Sequence, residues 1–146
     1  MKIAVIGYTG SGKSVLAAKL GKIRWLVPVL HLDKLQFEAG WKERKEAEGN
    51  RLCEQFLEEN KKRGWVIDGN YEKFCQKRRM KEADLIIFMD YPRWICLWQA
   101  LRRYYRYKGH TRKSMADGCV EKMDKEFILW ILKKDAARKR KKDISR

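Results

Sequence analysis

The chain has 146 residues, 45% of them hydrophobic, a length and composition suited to a single domain with its own core. Thirty-five Lys and Arg against 19 Asp and Glu leave a net charge of +16, which draws phosphates, nucleotides or nucleic acid without choosing among them. No apolar run approaches the roughly 18 residues of a membrane span, no cleavable apolar leader opens the chain, and Cys53, Cys75, Cys96 and Cys119 form no C-x-x-C pair; a bilayer span, disulfides and a structural zinc site are therefore not expected, and a reducing cytoplasm is.

Residues 2–6 are a short apolar run of the kind found in a buried parallel strand. Gly7-Tyr8-Thr9-Gly10-Ser11-Gly12-Lys13-Ser14 follows and fits G-x-x-x-x-G-K-[ST], the phosphate-binding loop. In such a loop Gly7, Thr9, Gly10, Ser11 and Gly12 let successive backbone N–H groups point inward, and the next helix adds the positive end of its dipole. Lys13 would reach the β- and γ-phosphates of a nucleotide and Ser14 would ligate magnesium. That helix is expected over 15–20, with Gly21 as its stop.

A second strand is expected over 29–32, starting after Pro28. Asp33 then falls at its C-terminal end, where open α/β sheets collect ligands, so it is either a working carboxylate or a turn former. His31 reads as a packed strand residue. A connector over 34–41 leads to a charged helix over 43–62 with a narrow apolar face, ended by a basic turn and Gly64. Arg44 and Arg51 on it could point at a bound acceptor. A third strand over 65–68 closes on Asp68, a carboxylate suited to holding magnesium beside the phosphate loop.

After a helix over 72–81, residues 85–90 give the most hydrophobic strand, and Asp90 at its end competes with Asp68 for the metal. Trp94, Leu97, Trp98, Leu101 and Tyr105 recur at helical spacing and read as a core stripe. The same helix carries Arg102, Arg103 and Arg106, and a loop with Gly109, His110, Arg112 and Lys113 follows: the makings of a phosphate-covering lid. Met123, Phe127, Trp130 and Ile131 mark a last helix; residues 136–146 form a basic end without an apolar run.

Four strands separated by helices indicate an α/β sheet. The phosphate loop, His31-Leu32-Asp33, Trp41, Asp68-Gly69-Asn70-Tyr71, Asp90-Tyr91-Pro92 and the Arg102 to Arg112 region together resemble the adenylate-kinase-like P-loop kinases, most closely the bacterial DNA topology modulation proteins. The resemblance implies a three-layer P-loop NTPase fold with a parallel sheet of order 2-3-1-4, the fifth strand apparently missing. It divides the chain into a kinase-like domain over 1–135, with an acceptor-side helical segment over 34–63 and a lid over 102–119, and a basic tail over 136–146. It favours Asp68 over Asp90 for Mg2+, faces Asp33 toward the phosphoryl acceptor, flanks the nucleotide with Arg102 and Arg106, and closes Arg112 over its phosphates. Asp68-Gly69-Asn70-Tyr71 departs from the Asp-Gly-Phe-Pro-Arg of true adenylate kinases, which leaves the acceptor open. The implied activity is transfer of the γ-phosphoryl group of ATP to a small acceptor; the alternative is a nucleotide-dependent DNA-binding protein. The apolar fourth strand, left at an edge, suggests a homodimer or cover by the last helix.

Overall fold

The computed structural model describes residues 1–23 and 27–133; the expected tail over 136–146 lies outside the described residues. In chain order the elements are β1 (Lys2–Gly7), α1 (Lys13–Ile23), β2 (Val29–His31), α2 (Leu32–Gln36), β3 (Phe37–Glu38), β4 (Lys42–Glu43), α3 (Glu46–Glu59), β5 (Trp65–Asp68), α4 (Gln76–Glu82), β6 (Leu85–Met89), α5 (Arg93–Tyr107) and α6 (Lys125–Leu132). Four parallel strands make one sheet in the order β2-β5-β1-β6, and helices flank it; the chain is an α/β protein. No described helix is long and apolar enough to cross a membrane.

Between Lys2 at the start of β1 and Asp68 at the end of β5, the two inner strands carry no polar side chain, because both of their faces are covered. Alternation sends Ile3, Val5 and Val66 to one side, against Ala17 of α1. Ala4, Trp65 and Ile67 point to the other, against Leu32 and Leu35 of α2, Cys53 and Leu57 of α3, and Phe74. A third cluster joins Cys96 and Ala100 of α5 to Ile131 of α6, with Tyr8 and Phe127 packed against it. Each such buried aliphatic side chain contributes roughly 1.5–3 kcal/mol.

Several elements differ from the sequence reading, each for a physical reason. Helix α1 does not stop at Gly21 but runs through it to Ile23. Gly21 is buried because the helix presses on the chain entering β2: a Cβ there would meet Val29 Cγ2 at 2.3 Å. The connector expected over 34–41 is ordered: its first residues belong to α2, and the rest forms an antiparallel hairpin, β3 with β4, joined by the short turn Ala39–Trp41. This shortens the following helix, which begins at Glu46. The expected core stripe of α5 holds only for its leucines: Leu97 and Leu101 are half-buried, whereas Trp94, Trp98 and Tyr105 are 70%, 57% and 73% exposed. The buried side of that helix is instead Cys96 and Ala100. Helix α6 packs on α5 rather than along β6, so among the described residues nothing pairs the outer edge of β6.

Replacing Gly21 by Ala tests the packing role directly. A glycine that merely ends a helix would tolerate Ala, whose higher helix propensity is worth about 1 kcal/mol. The contact with Val29 predicts a net loss of about 1–3 kcal/mol in urea unfolding, the range for overpacking. Unchanged or increased stability would contradict it.

Candidate functional site

The site begins where β1 runs out. Gly7 pairs with Met89 and adopts φ +145°, and a Cβ on it would sit 2.6 Å from Met89 O, so the turn away from the sheet needs a residue without one. Asn70, just past β5, clamps that turn: its Oδ1 accepts from Gly7 N at 3.0 Å while its Nδ2 donates to Gly7 O. Gly10 and Gly12 are also left-handed, at φ +81° and +87°. At Gly10 the backbone of α5 approaches so closely that a Cβ would lie 2.3 Å from Cys96 O. The loop is therefore held from below by α5 and from the side by Asn70.

Ser11 N donates to Tyr8 O at 3.1 Å, and the first bond of the α1 ladder runs from Leu16 N to Gly12 O at 3.1 Å. The amides of Lys13, Ser14 and Val15 precede that ladder and face the loop end of the helix, where an anion is favoured. Lys13 Nζ donates to Tyr8 O at 2.7 Å, folded back along the loop. Ser11 Oγ is buried without a hydrogen-bond partner among the described residues.

Asp68 lies buried at the end of β5, on the α1 side of the sheet. Its Oδ2 accepts from Ser14 Oγ at 2.6 Å, and its Oδ1 lies 2.5 Å from His31 Nδ1. His31 ends β2 in register with Asp68, so sheet pairing brings together two residues 37 apart in sequence. His31 is thus a member of the site rather than a packing residue. Asp90, at the end of the opposite edge strand, is exposed; Ser14 meets Asp68.

Asp33 does not end a strand as expected: β2 stops at His31, and Asp33 lies two residues on, in the first turn of α2. Tyr71 OH donates to its Oδ1 at 2.8 Å. Asp33 does not line the cleft that holds the arginines.

The loop opens into a cleft of about 1010 Å³ walled by α1, α5 and the segment after α5. Lys19, Lys22, Arg102, Arg103, Arg106, Arg112 and Lys113 line it, and none of the residues lining it is Asp or Glu. Arg102 stacks over the Trp98 ring at 5.5 Å. Arg112 Nε and Arg103 Nε each donate to the buried Glu121 carboxylate at 2.6 Å, one to each oxygen. Burial and the adjacent Arg112 hold the Arg103 guanidinium below its ordinary range, with Glu121 opposing. Arg103 and Glu121 had no individual role in the sequence reading, because nothing in their spacing reveals the pair. Arg44 is engaged away from the cleft, with Leu35 O and Glu48, and Arg51 is exposed on α3.

Neither protein-family models nor curated proteins give a match to this chain, so its chemistry is read from this arrangement. The clamp on Gly7 yields a prediction. Asn70→Ala leaves the N–H and C=O of Gly7 without this partner and lowers stability by about 1–3 kcal/mol, as for other unsatisfied buried groups. Denaturant unfolding unchanged from wild type would show that the loop turn holds without Asn70.

Proposed function

We propose that the chain is a P-loop kinase that transfers the γ-phosphoryl group of Mg2+-ATP to a small acceptor, on a three-layer P-loop NTPase fold. The observation that carries this reading is the bond between Ser14 and Asp68 beside a loop whose amides gather at the start of α1. The strand order supports it, since it sets β5 and its Asp68 directly beside the strand that feeds the loop. The unpartnered Ser11 hydroxyl and the acid-free, cation-rich cleft fit a polyphosphate.

Magnesium fits the hard oxygen donors Ser14 and Asp68, as it takes one or two protein oxygens and completes its shell with phosphate and water. Among the described residues no group of three His, Cys, Asp or Glu offers a metal a fuller cage. Bound there, the ion would offset negative charge on the phosphates. Lys13, the loop amides Gly10, Gly12 and Ser14 and the unpartnered Ser11 hydroxyl bind the phosphates, with Gly7 and Thr9 shaping the turn. Arg102 and Arg106 flank the nucleotide. Arg112, beside Arg103, faces charge that develops during transfer, which is where fixed donors act most strongly. His31 orients Asp68. Asp33, aligned by Tyr71, orients the acceptor hydroxyl or takes its proton. An ATP-dependent reaction and four free cysteines suit the cytoplasm.

A second reading, a nucleic-acid-binding protein that uses nucleotide as a switch, draws on one observation. The exposed Trp94, Trp98 and Tyr105 share α5 with Arg102 and Arg106, as a stacking platform with cations would. On that reading oligonucleotide affinity falls steeply with salt and with Trp98→Ala; the kinase reading requires neither.

ATP turnover with a panel of nucleosides, nucleotides and sugars tests the first reading. Lys13→Ala should weaken ATP binding and remove turnover. Asp33→Asn should leave ATP affinity within about twofold yet lower kcat by about a hundredfold or more, the range for a lost general base. Equal loss of ATP affinity in both variants would contradict this division of the site.

A further inference from the structure

Trp41 occupies an unusual position for a tryptophan. Its backbone is left-handed at φ +66°, directly after Gly40 at φ +72°, in the turn between β3 and β4. A left-handed non-glycine residue costs free energy unless its surroundings hold it there. Three contacts do so. Trp41 N donates to Cys119 Sγ at 3.3 Å, Trp41 Nε1 donates to Val120 O at 2.9 Å, and Phe37 packs edge-to-face on the indole at 5.2 Å. The same Cys119 thiol donates to Glu38 O at 3.3 Å, so the turn and the 118–122 segment are tied at two points. Gly118 closes against Gly40, where a Cβ would come within 3.3 Å of Gly40 N.

The residue after Val120 is Glu121, whose two oxygens hold Arg103 and Arg112. On the other side, the hairpin is tied to α2: Arg44 N donates to Gln36 O at 2.9 Å and Arg44 Nε to Leu35 O at 3.1 Å. That helix carries Asp33. A continuous run of contacts therefore leads from Asp33, through the hairpin and Trp41, to the arginines of the cleft.

We propose that Trp41 is a positioning residue: by fixing Val120 it seats Glu121, and so holds Arg103 and Arg112 in the cleft and couples their placement to the Asp33 side. It does not line the cleft. The proposal rests on the kinase reading of the cleft and adds to it a residue that acts through Glu121.

Trp41→Phe removes the indole N–H and keeps a ring for Phe37; Cys119→Ala removes the second anchor and leaves Trp41 whole. Calorimetry with the non-hydrolysable nucleotide AMP-PNP and Mg2+ is run on wild type, both variants, Arg112→Ala, and Arg112→Ala combined with Trp41→Phe. Hydrogen exchange over 110–121 is followed in the absence of nucleotide. Both anchor variants should exchange faster over 110–121 and bind nucleotide about two- to tenfold more weakly, the span of one lost neutral hydrogen bond. Adding Trp41→Phe to Arg112→Ala should cost less than Trp41→Phe costs in the wild type, because part of its effect passes through that arginine and only Arg103 is left for Glu121 to place; general destabilisation would instead add in full. Wild-type affinity in Trp41→Phe, unchanged exchange, or additive losses would overturn the role of Trp41 while leaving the cleft reading intact. Absence of nucleotide binding by the wild type would overturn the cleft reading and this proposal with it.

Discussion

A buried carboxylate at the end of an inner strand sets the terms for the rest of this molecule. Asp68 is shielded from water, and a charge so placed is costly unless strong hydrogen bonds surround it. Ser14 and His31 supply them, at 2.6 and 2.5 Å. Because a hydrogen bond to a charged group contributes about 1.5–3 kcal/mol, the carboxylate ties together three separate pieces of chain. One is the start of α1, one the end of β2, and one β5 itself. The hydroxyl and carboxylate that meet this requirement are the pair that a phosphate-bound magnesium would use.

The loop above Asp68 depends on close backbone approaches. Met89 O lies against Gly7 and Cys96 O against Gly10, so β6 and α5 are seated where side chains would exclude them. That seating fixes the arginines of α5 relative to the loop. Seven cations then line one cleft without lining acids, and Glu121 offsets the pair Arg103 and Arg112. The remaining positive charge favours anions in the cleft, which links the fold of α5 to its electrostatics.

The sequence makes some of this legible and hides the rest for identifiable reasons. Strands β1 and β5 are covered on both faces, so their apolar runs are unbroken and easily seen. The phosphate-loop pattern works through fixed spacing in one segment, and Asp68 stands out because it ends a strand. His31 does not, because only sheet register brings it to Asp68. Gly21 looks like a helix stop since the same residue serves ends and close contacts, and only Val29 decides between them. Helical periodicity marked the stripe of Trp94, Trp98 and Tyr105 but carries no sign of which side faces water. Two-residue strands such as β3 and β4 lie below any periodicity; they are held by tertiary contacts from Trp41. Asn70 and Glu121 act on distant segments, and neither leaves a local trace.

The central claim is that Ser14 and Asp68 form the cation-assisted end of a polyphosphate site. Calorimetric titration of ATP with and without Mg2+, on wild type and on Asp68→Asn, measures it most directly. Asparagine keeps the shape of Asp68 while removing its charge and turning one of its two acceptor oxygens into a donor. The account predicts that magnesium raises wild-type affinity by about tenfold or more, a gain of about 1.4 kcal/mol, and that Asp68→Asn loses this gain while still binding ATP. Equal dependence on magnesium in the two proteins, or no ATP binding by the wild type, would contradict it.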